Sequence, residues 1–241
     1  MRVEETMDLV ASSLGVRKMD VLVSPNVIIV TTDDGTEFRT KARRVSRMHV
    51  QMALLNSVMQ WVAQLGAGQL TAAQYRQGLD ALSHPKPEYN AWLVAAMVGV
   101  ACAGFCAIVR GALVSDPITH PSGLLDLFST FVGSSLAMLL RQQMHKKKLN
   151  LLMNAFVSGF VAFAIAGVVA RAIHAPNPDY CAAASVLFLV PGVPLLNAID
   201  ELFSGGVVIG LSRGIQTVLV FIAIAISVLS ANLALKLAGL S

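Results

Sequence analysis

From Ala91 to Leu235 the sequence is dominated by apolar stretches that nearly exclude charge. A helix needs about 20 residues to cross the hydrocarbon core of a bilayer. Residues 91–109, 149–170 and 214–235 carry no Asp, Glu, Lys or Arg, and 123–140 carry only Asp126. Residues 180–199 are also uncharged but are interrupted by Pro191-Gly192-Val193-Pro194. The pattern predicts an all-α integral membrane protein with five transmembrane helices, spanning about 91–109, 123–140, 149–170, 180–199 and 214–235. Charged residues make up 13% of the chain, against about 25% in soluble domains. Ten of the 18 Lys and Arg and nine of the 14 Asp and Glu precede residue 90. The expected division is therefore a water-facing region over 1–87 and a membrane domain over 88–241.

The first region reads as small and α+β. Val3, Met7, Val10 and Leu14 mark an amphipathic helix that Gly15 stops. Val21–Val23 and Val27–Val30 are strand-like, with Pro25 between them. Asp34-Gly35 signals a hairpin turn, and Thr36–Lys41 is a polar return strand. A second helix is expected from about Val45 to Leu65, with Val45, Met48, Met52, Leu55, Met59 and Val62 as its apolar stripe. Thr71 and Gln74 form a capping box for a third helix reaching about Leu82. Pro85 and Pro87 mark the linker to the membrane. The charged start, Met1-Arg2-Val3-Glu4-Glu5, does not read as a signal peptide, so this region is expected in the cytoplasm.

The functional classes narrow by what the residues lack. The sequence has no Gly-rich phosphate loop, no G-x-S-x-G and no H-E-x-x-H, so an enzyme is not expected and no cofactor is implied. Cys102 and Cys106 are one helical turn apart without His, Asp or Glu nearby, which reads as packing rather than metal ligation. Arg39, Lys41, Arg43, Arg44 and Arg47 place five cations in nine residues. They suit lipid headgroups or an electropositive vestibule for anions. Nucleic acid is not an expected partner, because no aromatic residues interleave with these cations.

The chemistry concentrates at the interrupted fourth segment. Pro191 and Pro194 lack N–H groups, so carbonyls about four residues upstream are expected to be free. Transporters use such breaks as substrate sites, although prolines also kink helices that carry no substrate. Asn197 and Glu201 share a helix face beyond the break, and Asp200 points elsewhere. Glu201 and Arg213 read equally as a pair at the cytoplasmic mouth or as ordinary juxtamembrane charges. Asp126 lies three residues into its segment, shallow enough for its side chain to reach the interface. Asn154 is deeper and suits a hydrogen bond between helices or a place along a path. Gly206, Gly210 and Gly214 fall on one face, which suits close helix packing. The candidate substrate path therefore comprises Pro191, Gly192, Pro194, Asn197, Glu201, Arg213, Asn154 and Asp126.

Taken together, Arg2-Val3-Glu4-Glu5-Thr6, Leu14-Gly15, Pro191-Gly192-x-Pro-Leu-x-Asn-Ala with a following acid, and Gly210-Leu211-Ser212-Arg213 resemble the threonine/serine exporter family. Trp92-Leu93-Val94-Ala95, Met97-Val98-Gly99, Cys102, Phe105-Cys106 and Ala183–Leu187 resemble most closely the large subunits of its two-component succinate exporters. The resemblance covers nearly the whole chain. It implies a bacterial inner-membrane location, a small membrane partner subunit, and outward movement of a small carboxylate, succinate foremost, with threonine or serine as the alternative. A non-transporting membrane anchor is a further class, disfavoured because an anchor needs no broken helix. Family members usually carry a further helix ahead of the Arg2-Val3-Glu4 stretch. The acid four residues after the Asn is usually Asp, where Glu201 stands here.

Basic residues set the orientation of short-looped membrane proteins. With the N-terminus inside, the cytoplasmic side holds 15 Lys and Arg and the outer side three, Arg110, Arg171 and Lys236. Reporter fusions at Lys147 and at Ser241 are expected to give opposite signals, inside and outside. The same signal from both contradicts five spans.

Overall fold

In the computed structural model, residues 3–24, 27–33, 35–45, 52–82, 89–113, 121–147 and 149–239 are described. The chain divides into two compact units, Met1–Pro87 and Glu88–Ser241.

The first unit contains α1 (Val3–Ser13), an antiparallel sheet of β1 (Lys18–Ser24), β2 (Val27–Asp33) and β3 (Phe38–Arg44), then α2 (Met52–Gly66) and α3 (Ala72–Leu82). Gly15 adopts φ +78° just past α1, and Val16 N–H returns to the Ala11 carbonyl at 3.0 Å, closing the helix end. The turn before β3 uses Gly35 at φ +91°, whose N–H donates to Asp33 Oδ1 at 2.8 Å. The capping box forms: Thr71 N–H donates to Gln74 Oε1 at 2.9 Å, and Gln74 N–H to Thr71 Oγ1 at 3.4 Å. The expected start of the second helix at 46–51, together with Pro25, Asp34, Arg47, Pro85 and Pro87, lies outside the described residues.

The buried face of α2 differs from the expected stripe. Val62, Leu65 and Tyr75 form the core, with Val10, Val58, Trp61 and Leu79 against it, while Leu55 is 53% exposed. The reason is the partner. A Cβ on Gly78 of α3 would meet the Trp61 ring at 2.0 Å, so α2 turns its Trp61 edge toward that glycine. On β3 the alternation puts Arg39, Lys41 and Arg43 on one face, paired across to Thr32, Val30 and Ile28.

The membrane unit contains α4 (Ala91–Leu113), α5 (Pro121–Lys146), α6 (Leu151–Ala172), α7 (Pro178–Ser185), a 3₁₀ turn (Leu187–Leu189), α8 (Gly192–Phe203) and α9 (Val207–Leu237). Four of these helices are long and apolar enough to cross a membrane. A fifth span results if α7 with its turn and α8, bent by 50°, count as one. The last helix begins at Val207 rather than near 214, so Arg213 lies within it.

Small residues set how closely these helices approach, because lipid offers no hydrophobic drive for association. A Cβ on Gly133 of α5 would sit 2.8 Å from the Ala162 carbonyl and 2.9 Å from the Ala166 nitrogen of α6. Gly159 of α6 faces Ser227 of α9, and Gly167 faces Leu235. Both pairs advance along both helices, so α6 and α9 run parallel. Ala137 of α5, Ala155, Ala162 and Phe163 of α6, and Val220, Ile224 and Ala231 of α9 share one core.

The Gly133 contact is with backbone, which cannot move aside. Gly133→Val is expected to destabilise the protein by roughly 1–3 kcal/mol, read as a lower melting temperature in detergent. Gly104→Ala, where an added Cβ meets nothing within 4 Å, is the matched control and is expected to leave the melt unchanged. Equal melts for parent and Gly133→Val contradict the packing.

Candidate functional site

The fourth segment breaks between Leu189 and Gly192. Pro194 falls in the first turn of α8 and Pro191 caps it. Helices leave the N–H groups of that turn unpaired in any case, so both prolines fit there without losing a bond. The carbonyls expected to be free are not. Leu187 O accepts from Val190 N–H at 3.0 Å, and Val190 O from Gly192 N–H at 2.9 Å. The first is a 3₁₀ bond and the second, spanning two residues, is tighter still, so the chain closes its own bonds there.

That closure changes which carbonyl is orphaned. In a continuous helix Gly192 N–H would bond Phe188 O, but it turns back to Val190. Arg141 supplies the missing donor: its Nη1 lies 3.3 Å from Phe188 O, and the guanidinium carbon sits 5.8 Å from the Phe188 ring centroid. That bond engages one of five guanidinium N–H donors. Asn154 stands beside it, 5% exposed, donating from Nδ2 to the Arg141 carbonyl at 3.4 Å and accepting from Ser158 Oγ at 3.1 Å. Beside Gly192 an added Cβ would meet no atom within 4 Å. A cation and open space therefore lie at the break, and a buried amide bonds the backbone of the residue that supplies the cation.

Beyond it, α8 packs on α9 through Ala198 and Leu202, whose atoms approach Gly210. Gly210 thus serves close packing, whereas a Cβ on Gly214 would make only ordinary contact with Ala198, at 4.0 Å. Glu201 and Arg213 approach to 3.9 Å, each about one-third exposed at 34% and 37%. An exposed pair at that distance contributes little to stability. Asn197 and Asp200 are exposed on α8.

Asp126 is placed differently from the sequence expectation. It is 1% exposed and points into the bundle rather than to the interface. The Asn177 N–H and Nδ2 and the Cys181 thiol all donate to its carboxylate at 3.2 Å. Thr130 Oγ1, one turn along α5, donates to the Cys181 carbonyl at 3.3 Å. These bonds fasten α5 to the start of α7. Asp126 and Arg141 are 15 residues apart on α5, about 22 Å at 1.5 Å per residue.

The eight candidates therefore fall into three groups. Pro191, Gly192 and Pro194 form the break, with Asn154 bonded to the backbone of Arg141, Glu201 and Arg213 pair on the α8–α9 hairpin near Asn197, and Asp126 belongs to the α5–α7 junction. Sequence reasoning missed Arg141, which lies one residue past the expected 123–140 span but within α5; its place five residues ahead of Lys146 was the available signal.

A family model described as "Putative threonine/serine exporter" matches residues 1–235. A Klebsiella aerogenes protein named "Probable succinate transporter subunit YjjP" is 31% identical over 231 residues, 95% of this chain and 84% of that protein. The Escherichia coli protein of the same name is 31% identical over 213 residues, 88% of this chain and 78% of that protein. No solved structure matches.

The Asp126 junction gives a stability prediction. Asp126→Ala orphans buried donors, each costing roughly 1–3 kcal/mol, and is expected to lower the melting temperature sharply. Asp126→Asn keeps acceptor capacity and is expected to lose less. A parental melt for Asp126→Ala contradicts the junction.

Proposed function

The chain belongs to the threonine/serine exporter family, and from that premise we propose that it is one subunit of a bacterial inner-membrane exporter of small carboxylates, succinate foremost. In this reading it acts with a small membrane partner subunit, and it performs no catalysis. Its N-terminal unit lies in the cytoplasm and its C-terminus outside, the arrangement favoured by the uneven spread of basic residues. The observation that carries the substrate is the similarity, along most of the chain, to proteins named succinate transporter subunits.

The chemistry of the break supports a carboxylate. Guanidinium binds carboxylate through paired, charge-assisted hydrogen bonds, and Arg141 is held at the break with donors remaining. We assign the path to Arg141, Asn154 and the open side of Gly192, continuing past Asn197 toward Glu201 and Arg213. Pro191 and Pro194 keep the segment from closing into one helix across that space. Asp126 holds the bundle together rather than meeting substrate.

Efflux of labelled succinate and labelled threonine, from cells with and without this chain and its partner, tests the reading. Succinate efflux is expected to depend on both subunits and to exceed threonine efflux. Threonine export without succinate export transfers the assignment to the amino acid. Pro191→Ala, Asn197→Ala and Gly192→Leu are each expected to reduce succinate efflux several-fold at parental membrane abundance. Asp200→Asn, on another face of α8, is expected to do less. Parental export by all three variants removes the path from the break.

A further inference from the structure

The last helix is longer than the neighbour it packs on. Gly159 of α6 lies against Ser227 of α9 and Gly167 against Leu235, the same offset of 68 residues at both places. At that offset Leu151, the first residue of α6, is level with Leu219. The 22 residues of α6 measure about 33 Å, close to the thickness of a hydrocarbon core. Lys146 and Lys147 stand just ahead of α6 and Arg171 at its end, so charge brackets that thickness. The first residues of α9, Val207–Val218, therefore run on past the start of α6 by about 18 Å. The Glu201–Arg213 pair belongs to this extension.

Along α9 the buried positions, Gly210, Thr217, Val220, Ile224, Ser227 and Ala231, form one side. On the other side Val208, Leu211, Ile215 and Val218 recur at alternating steps of three and four, and Ile222, Ala225 and Leu229 continue the series. All seven are exposed, the six larger ones by 48% to 73%. A repeat of 3.5 residues is the seam of a left-handed coiled coil. Its first position holds β-branched Val208, Ile215 and Ile222, and its second holds Leu211 and Val218. β-Branched residues followed by Leu favour two parallel strands. Ala225 lets helix backbones approach within the membrane. No seam position carries a charge, so nothing repels across a two-fold axis. Lipid tails can cover such a stripe inside the hydrocarbon core, but not along Val207–Val218.

We infer that α9 pairs along this seam with α9 of a second copy of the chain, in parallel and in register. Two copies in one membrane share their orientation, so a two-fold axis along the membrane normal sets each seam residue against its own equivalent. The seam starts in the extension, where apolar side chains otherwise meet water, and runs on into the bilayer. Each copy keeps its own break, and the exporter is built around a pair of these chains. The pairing is independent of which metabolite the chain exports.

Disulfide trapping tests it in membranes holding the full chain and its partner subunit. Facing seam residues of a parallel pair approach closely enough for a disulfide. With an added mild oxidant, Leu211→Cys and Val218→Cys are each expected to give a band of twice the chain's mass that a reductant removes. Gln216→Cys, exposed but turned away from the seam, is expected to give several-fold less. The parent, with its three buried cysteines, supplies the background. Native mass spectrometry of the purified complex is expected to find two copies of this chain, and Val208→Arg combined with Ile215→Arg to leave one. Both positions are exposed in a single copy, so the double variant is expected to keep the parental helical circular dichroism. Equal trapping at Leu211 and Gln216, no trapping at either seam position, or one copy in the parental complex overturns the pairing. A complex of one chain in which the partner shields Leu211→Cys from a maleimide assigns the seam to the small subunit instead.

Discussion

A bilayer interior supplies no hydrogen bonds to a peptide group, so backbone that leaves the helix there must be satisfied by protein. In this chain the demand arises at Leu187–Gly192, and two devices meet it. The 3₁₀ turn closes the Leu187 carbonyl, the tighter bond from Gly192 N–H closes Val190 O, and the Arg141 guanidinium takes Phe188 O. The second device brings a charge to the break. In the reading proposed above, that charge meets the passing carboxylate.

The rest of the unit positions that meeting. Arg141 reaches Phe188 because α5 and α7 are fixed at their far ends by Asp126, which gathers Asn177 and Cys181. The same α5 lies close on α6 because Gly133 accepts α6 backbone against it, which sets Asn154 beside Arg141. Gly159 lets Ser227 of α9 approach, with Leu189 of the turn nearby. Glycine and alanine spacing thus becomes site geometry, and α8, left packing on α9 through Ala198 and Gly210, forms a separate hairpin beyond the break.

Hydropathy made the long helices legible, since the absence of charge over a membrane's thickness has few other meanings. The break was legible because two prolines and a glycine cannot continue a helix. Its consequence was misread: counting carbonyls four residues back assumes α-helical geometry, and the chain closed them with bonds spanning three and two residues instead. Arg141 and Asp126 were misjudged for a different reason. Their partners, Phe188 and Asn177, lie 47 and 51 residues away in sequence, and depth counted along one segment says nothing about which helix end faces it. On α2, Val62 of the expected stripe is buried, but Leu55 gave way to Val58, Trp61 and Leu65 because Gly78 on α3 opened a slot for Trp61.

The account rests on Arg141 acting as the carboxylate-binding cation at the break. The most direct measurement is succinate efflux from vesicles containing the chain and its partner, for the parent, Arg141→Lys and Arg141→Gln at equal abundance. Guanidinium binds carboxylate in a paired geometry that an ammonium reproduces only in charge. The predicted result is a loss of about tenfold or more for Arg141→Gln, the scale of one lost charge-assisted hydrogen bond, with partial efflux for Arg141→Lys. Parental efflux by Arg141→Gln in a protein of unchanged melting temperature would contradict it.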